Sequence, residues 1–326
     1  MIAWLIRCYS AGILTDKNTD LPISKIGSLE FIETLAKKIS LRDGFGDILA
    51  QGTIRAASAV GNEANALITD YIIDSSGQSF EGDPRMYVAT GLLQAMQPRQ
   101  HATQASEITG PVAKWQDWVN KVDGAYVSPD VLCAIGERFF GDEAVLDFST
   151  YDGKALGVRK AQNRWSARES LILCGFAWPI LDVPYSEGHV GDPSLESRAF
   201  SAVTGKEVDE EGLDRMGEVV FNLHRAILMR EGHRGRESDV LPEIFYTRPF
   251  EPKVPPDYPS LMPGKDGKAI SKMGAVVDRE KFEKMKDEYY QLREWDVRTG
   301  LQRKTRLEEL GLHDVAKDLE QRSLAI

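Results

Sequence analysis

Apolar residues in this chain recur at intervals of three and four positions almost everywhere, and sustained two-residue alternation is absent. The first spacing stacks side chains on one face of an α-helix, whereas a half-buried strand needs the second. Between Asp209 and Met229 the repeat runs through Leu213, Met216, Val220, Leu223 and Ile227, predicting one long helix with these residues on one face. The same period puts Trp4, Leu5, Cys8 and Tyr9 on a first helix that stops at Gly12. Phe31, Ile32, Leu35, Ala36 and Ile39 form a second, started by Ser28 as N-cap. A third, capped by Asp47, carries Ile48, Leu49, Ile54 and Ala57 and bends at Gly52. The glycines of Asp43-Gly-Phe-Gly46 invite a phosphate-loop reading, but no strand precedes them and no GxGxxG is present.

The pattern breaks between Thr69 and Asp83, where Tyr71-Ile-Ile73 is β-prone and Asp74 to Ser79 is turn chemistry. A domain boundary is expected there, at about residue 70. Beyond it, Met86 to Gln97 predicts a helix of small residues ended by Pro98, with His101 following in a polar stretch. Residues 110–165 read as irregular apart from a helix around Pro129 to Phe140, and Ala155 to Leu173 reads as helix. Seven prolines between Pro242 and Pro263 argue against regular structure in that segment. Asp278 caps a helix through Phe282, Met285, Tyr289 and Leu292, and Leu307, Leu310, Val315 and Leu319 close the chain as helix-turn-helix. The expected fold is mostly α, in two packed helical domains over residues 1–70 and 71–326.

With 40 Lys and Arg against 50 Asp and Glu, the formal charge of -10 argues against a nucleic-acid footprint. No apolar run approaches the roughly 20 residues of a membrane span. Three cysteines among 326 residues make no disulfide framework, which suggests a reducing, cytoplasmic compartment. No CxxC pair occurs, so the chain cannot build a four-cysteine metal site alone.

Few residues present themselves for chemistry. His313 and His224 read as structural, and His233 as part of a solvated Gly/Arg loop. His101 and His189 follow helix-breaking or turn residues, where functional groups tend to be displayed. Cys8 and Cys133 sit among apolar neighbours, as core thiols do. Cys174 shares that reading, but it closes Glu169-Ser-Leu-Ile-Leu-Cys174 with an acid five positions before it.

That stretch is one of an ordered series resembling the tungsten-containing aldehyde ferredoxin oxidoreductase family. The series opens with Ile2-Ala-Trp-Leu5 through Cys8-Tyr-Ser-Ala-Gly-Ile-Leu14, then Arg42-Asp-Gly-Phe-Gly-Asp-Ile-Leu-Ala-Gln-Gly52 with Arg55-Ala-Ala57. Asp83-Pro-Arg85 and Pro98-Arg-Gln-His101 follow. Next, Tyr151-Asp-Gly-Lys-Ala155 leads into Glu169-Ser-Leu-Ile-Leu-Cys174, similar to the family's Asp-x-x-Gly-Leu-Cys. Gly191-Asp-Pro-Ser-Leu-Glu-Ser-Arg198, Asn222-Leu-His-Arg225, Arg230-Glu-Gly232, Asp239-Val-Leu-Pro242 and Trp295-Asp296 complete it. The resemblance implies part of the family's helical domain 2 and all of domain 3. It implies that Cys174 is the fourth thiolate of a [4Fe-4S] cluster. It further implies that Glu169 and Leu173 meet a tungsten or molybdenum bis-pterin, and that His101 serves in proton transfer near the metal. The implied reaction is oxidation of an aldehyde to a carboxylic acid, with ferredoxin as electron acceptor.

The departures from the family pattern carry expectations of their own. Glu169 replaces Asp, adding a methylene, and Ile172 replaces Gly where the family allows close backbone approach. The domain that cradles the cofactor has no counterpart here, and neither has the CxxCxxxC stretch supplying the other three thiolates. The chain is therefore expected to be inactive alone, as a truncated product or one part of a split enzyme. A partner bearing the missing N-terminal domain would complete it. An exposed surface including Cys174, Phe176 and Trp178 is expected to favour aggregation or homo-oligomers. The alternatives are a non-catalytic helical interaction module, or a relative that reduces aromatic acyl-CoA compounds.

Overall fold

Helical periodicity is realised almost throughout. The computed structural model describes residues 1–68, 72–73, 78–79, 82–96, 101–175, 177–251 and 260–326, with backbone alone at 72, 73, 78, 79 and 101–103. The fold is mostly α, in two compact units: Met1–Phe80 with Pro242–Ile244, and Glu81–Leu241 with Phe245–Ile326. The boundary expected at about residue 70 lies outside the described residues.

In the first unit, α1 (Ile2–Ser10), α2 (Asp16–Thr19), α3 (Leu29–Leu41), α4 (Phe45–Leu49), α5 (Thr53–Val60) and α6 (Asn62–Ala66) enclose Trp4, Leu5, Cys8, Phe31, Leu49 and Ala56. Burial pushes the Cys8 thiol up to about 11, in keeping with a core role. Ser28 caps α3 as expected, its Oγ accepting from the Phe31 amide at 3.2 Å. The third expected helix is instead two, because Gly52 takes φ 92° between α4 and α5. Gly44, not Asp47, is the N-cap of α4. Gly46 is dictated by packing, since a Cβ there would lie 2.3 Å from the Lys38 carbonyl. The expected β-prone stretch contributes β1 (Ile72–Ile73), antiparallel to β2 (Gln78–Ser79).

The second unit begins with α7 (Val88–Met96), α8 (His101–Val119) and α9 (Pro129–Ile135), the last continued by a π-turn over Gly136–Phe140. α10 (Lys154–Ser170), α11 (Leu195–Thr204) and α12 (Glu210–Arg230) follow. The chain continues with α13 (Ile244–Thr247), β3 (Leu261–Pro263), β4 (Ala269–Ser271), α14 (Arg279–Leu292), α15 (Lys304–Glu309) and α16 (His313–Gln321). Two expectations of irregularity are corrected. α8 continues to Val119 with Pro111 inside it, its buried Ile108, Val112 and Trp115 offsetting the proline's cost of about 3 kcal/mol. The proline-rich segment holds α13 and β3; among the described residues β3 pairs with β4 alone, and an edge strand tolerates proline. Residues 252–259 lie outside the described residues.

The apolar face predicted on α12 is buried at Leu213 but not along its length. Met216, Leu223 and Ile227 are 43, 37 and 44 % exposed, whereas Gly217, Glu218, Asn222 and Arg225 are buried. Gly217 explains the choice: a Cβ there would come within 1.9 Å of the Asn163 carbonyl oxygen, so α10 and α12 meet backbone to backbone. Around that crossing the core is polar and paired. Arg225 holds Asp239 through two bonds of 2.8 and 2.7 Å, and Tyr290 donates to the same carboxylate at 2.6 Å. Arg293 donates to Asn163, Gln162 and Tyr289 while lying 4.1 Å from the Phe221 ring centre. No helix among the described residues is long and apolar enough to cross a membrane.

Candidate functional site

Glu169 occupies the last turn of α10, and Leu173 and Cys174 belong to the turn that closes it. The Leu173 amide donates to the Arg168 carbonyl at 3.0 Å and the Ile172 amide to the Glu169 carbonyl at 3.1 Å. These are the two bonds of a Schellman motif, whose defining residue takes a left-handed backbone and is usually glycine. Here it is Ile172, at φ 56° and 92 % exposed. The chain thus keeps the turn that a glycine would make and carries an isoleucine through it.

The motif residues are free for other partners. The Glu169 side chain is exposed, with no hydrogen bond or ion pair to any described residue. Cys174 is a free, exposed thiol, whereas Cys8 is buried and Cys133 partly so. Trp178 is half-buried; Phe176, expected on the same surface, lies outside the described residues. The His101 side chain also lies outside them; its backbone begins α8.

Sequence reading passed over the residues that pin this turn. The completely buried Arg168 donates through Nη1 to Glu107 Oε1 at 3.2 Å and to the Trp178 carbonyl. Glu107, on α8, also accepts from Arg164 at 2.9 Å. Burial raises the Glu107 carboxyl, and the two arginines oppose that rise. Further on, Asp182 accepts from Lys114 at 2.6 Å and from the Tyr126 hydroxyl, and pairs in a β-bridge with Val190. Gly191 sustains that return, since a Cβ there would sit 1.7 Å from the Ile180 carbonyl oxygen. A signal for Arg168 existed: α10 is buried yet has no apolar stripe, so its polar side chains must find partners inside.

Three other histidines make contacts of their own. His189 sits at φ 57° with its ring 5.1 Å from that of Tyr126, and His224 packs on Trp165. His233 departs from the solvated-loop expectation: its Nε2 lies 3.4 Å from Asp239 inside the buried network. A separate cavity of about 570 Å³ has Arg159, Lys160, Arg306, Glu196, Asp214 and Glu218 in its wall, with no residue of the Glu169–Cys174 motif. Among the described residues no group of three or more His, Cys, Asp or Glu side chains is placed to hold a metal ion.

Residues 1–312 match the family model for aldehyde ferredoxin oxidoreductase, domains 2 and 3. The chain belongs to the aldehyde ferredoxin oxidoreductase family. Its fold is also similar to a solved structure, the active-site complex BamBC of benzoyl coenzyme A reductase in complex with 1,5 dienoyl-CoA. That match has a TM-score of 0.61 at 21 % identity and covers 99 % of this chain. It covers 44 % of the solved chain, so the present sequence spans less than half the length of that relative. Within the aldehyde ferredoxin oxidoreductase family, the Schellman turn at Ile172 carries the Glu169–Cys174 motif in this member.

Proposed function

We propose that this chain is the C-terminal part of a tungsten- or molybdenum-dependent oxidoreductase that converts aldehydes to carboxylic acids. Net oxidation of RCHO and water to RCOOH releases two protons and two electrons, which one-electron carriers such as ferredoxin would accept in turn. The observation that carries this reading is Cys174, a free and exposed thiol fixed immediately after the Schellman turn of α10. A thiol in that position fits a cluster whose other thiolates come from residues outside these 326. Buried donors without acceptors on the neighbouring Arg168 suit an anionic group beside it.

When bound, the metal–pterin supplies the oxygen-transfer and two-electron chemistry, and the [4Fe-4S] cluster supplies the one-electron exit. The chain's own residues hold and orient. Cys174 would ligate one iron, Glu169 would accept hydrogen bonds from pterin N–H groups, and Leu173 would pack beside the ring. His101 would move a proton near the metal. The complete assembly would include the N-terminal cofactor domain and would work in a reducing, cytoplasmic compartment.

The likeness to the benzoyl coenzyme A reductase complex supports a second reading, reduction of an aromatic acyl-CoA. The Glu169 and Ile172 replacements motivate a third, a helical interaction module without redox work. One experiment separates all three: the chain is co-expressed with a polypeptide carrying the cofactor domain and cysteine trio, and the complex is assayed for metal, pterin and iron. Aldehyde-dependent viologen reduction supports the first reading and acyl-CoA reduction the second. A stable complex devoid of metal, pterin and iron leaves only the third. The isolated chain is expected to bind no stoichiometric cluster; if it does, the ligand assignment is wrong.

A further inference from the structure

Arg168 is completely buried, and its Nε and Nη2 have no acceptor among the described residues. Its other groups grip both ends of one turn: its carbonyl takes the Leu173 amide, and its Nη1 donates to the Trp178 carbonyl and to Glu107. Between those ends, Nη2 is near Gly175, 3.9 Å from where a Cβ would be. Cys174, whose carbonyl accepts the Ala177 and Trp178 amides at 3.1 and 3.0 Å, therefore lies between two contacts of one guanidinium, whose unused Nη2 is near the residue next to the thiol.

We propose that Arg168 is the positioning residue for Cys174 and the hydrogen-bond donor to the sulfur of the iron–sulfur group bound there. The donor half rests on the reading of Cys174 as a cluster thiolate; the positioning half does not. A buried guanidinium with idle N–H groups is unfavourable unless an acceptor arrives, and an anionic sulfur is such an acceptor. Glu107 does not fill that role: it meets Arg168 through Nη1 alone and takes no bond from Nε or Nη2. Glu196 adds a second carboxylate nearby, but its Oε1 is itself unpaired and makes no bond to Arg168. N–H···S bonds and a nearby positive charge favour the reduced, more negative cluster and raise its potential.

Two measurements test the two halves. In the isolated chain, Arg168→Gln is expected to speed amide exchange at Leu173 and Trp178 about tenfold while the middle of α10 keeps its protection. Arg168→Lys, which keeps the charge but loses the fork, should speed it less. Unchanged exchange overturns the positioning role. In the assembled complex, EPR-monitored titration is expected to place the R168Q midpoint below wild type at equal cluster content, with R168K between them. Glu107→Gln, which retains Arg168 and an amide oxygen that can accept from it while removing a negative charge, should move the midpoint upward, so the inference stays testable if R168Q does not fold. Equal midpoints in all variants overturn the donor role alone. A wild-type assembly that forms no cluster overturns the reading of Cys174 and the donor role with it, while the exchange result stands.

Discussion

Ile172 holds a backbone conformation that β-branched residues avoid, because its Cβ crowds the following carbonyl at a cost of roughly 1–2 kcal/mol. Nothing repays that cost by burial, since the side chain is 92 % exposed. Ile172→Gly is therefore expected to stabilise the chain by about 1 kcal/mol, after allowing for glycine's extra unfolded-state entropy. The check is a higher urea midpoint at unchanged m-value; a lower midpoint would show that the isoleucine makes contacts worth more than the strain. Asp239 is the opposite case, a residue whose charge the fold protects. Burial alone would raise its carboxyl, but Arg225 and His233 hold it down to about 2. A folded value below the unfolded one adds stability that is full above the ordinary carboxylate range and lost as pH falls through about 2. That contribution is roughly 2 kcal/mol at neutral pH. Asp239→Asn should be destabilised by about 3–5 kcal/mol at neutral pH, because Arg225 is left buried and unpaired. Its urea midpoint should also fall less steeply with acid than that of the wild type.

At the scale of elements, the α10–α12 crossing rests on one missing side chain. Gly217→Ala would drive a Cβ into the Asn163 carbonyl, and separating the two helices should cost about 2–4 kcal/mol. Gly110→Ala is the matched control: it lies in α8 with nothing within 4 Å of an added Cβ, and should stabilise by about 0.5–1 kcal/mol. Equal effects of the two substitutions would refute the close crossing. The same crossing explains what hydropathy could and could not disclose. The period of α12 was legible, and so were the Ser28 and Asp278 caps, because each is a local property of the chain. The buried face of α12 was not legible, because it packs on a helix that mixes buried Gln162, Asn163 and Ser166 with Val158, Ala161 and Trp165. Polar groups that satisfy one another across helices carry no hydrophobic period. The helix through Pro111 escaped for a related reason: tertiary burial outweighed a local signal to stop.

For the whole molecule, the motif order pointed to the family, but the helix expected to run to Leu173 ends at Ser170, and the Schellman turn that follows was not foreseen. Arg168 and Glu107 were missed because their meeting joins α8 to α10, a contact that sequence spacing does not encode. Of the apolar residues on the predicted face of α12, Leu213 is buried but Met216, Leu223 and Ile227 are exposed, and that exposed stripe has a consequence for the isolated chain. The three exposed residues lie along one helix face, an arrangement that favours pairing with another apolar surface. Opposing it is the formal charge of -10, which keeps copies apart most effectively when salt is low. The balance should therefore shift with ionic strength: sedimentation velocity is expected to show mostly monomer in dilute buffer and growing self-association as salt is added. Leu223→Lys with Ile227→Lys should abolish that growth, because both substitutions place charge on the stripe while leaving the buried Phe221, Arg225 and Met229 untouched. A chain that stays monomeric across the salt series would show that the stripe is too narrow to drive association. Association that survives the double substitution would move the interface elsewhere, and the exposed turn at Ile172 would be the next surface to probe.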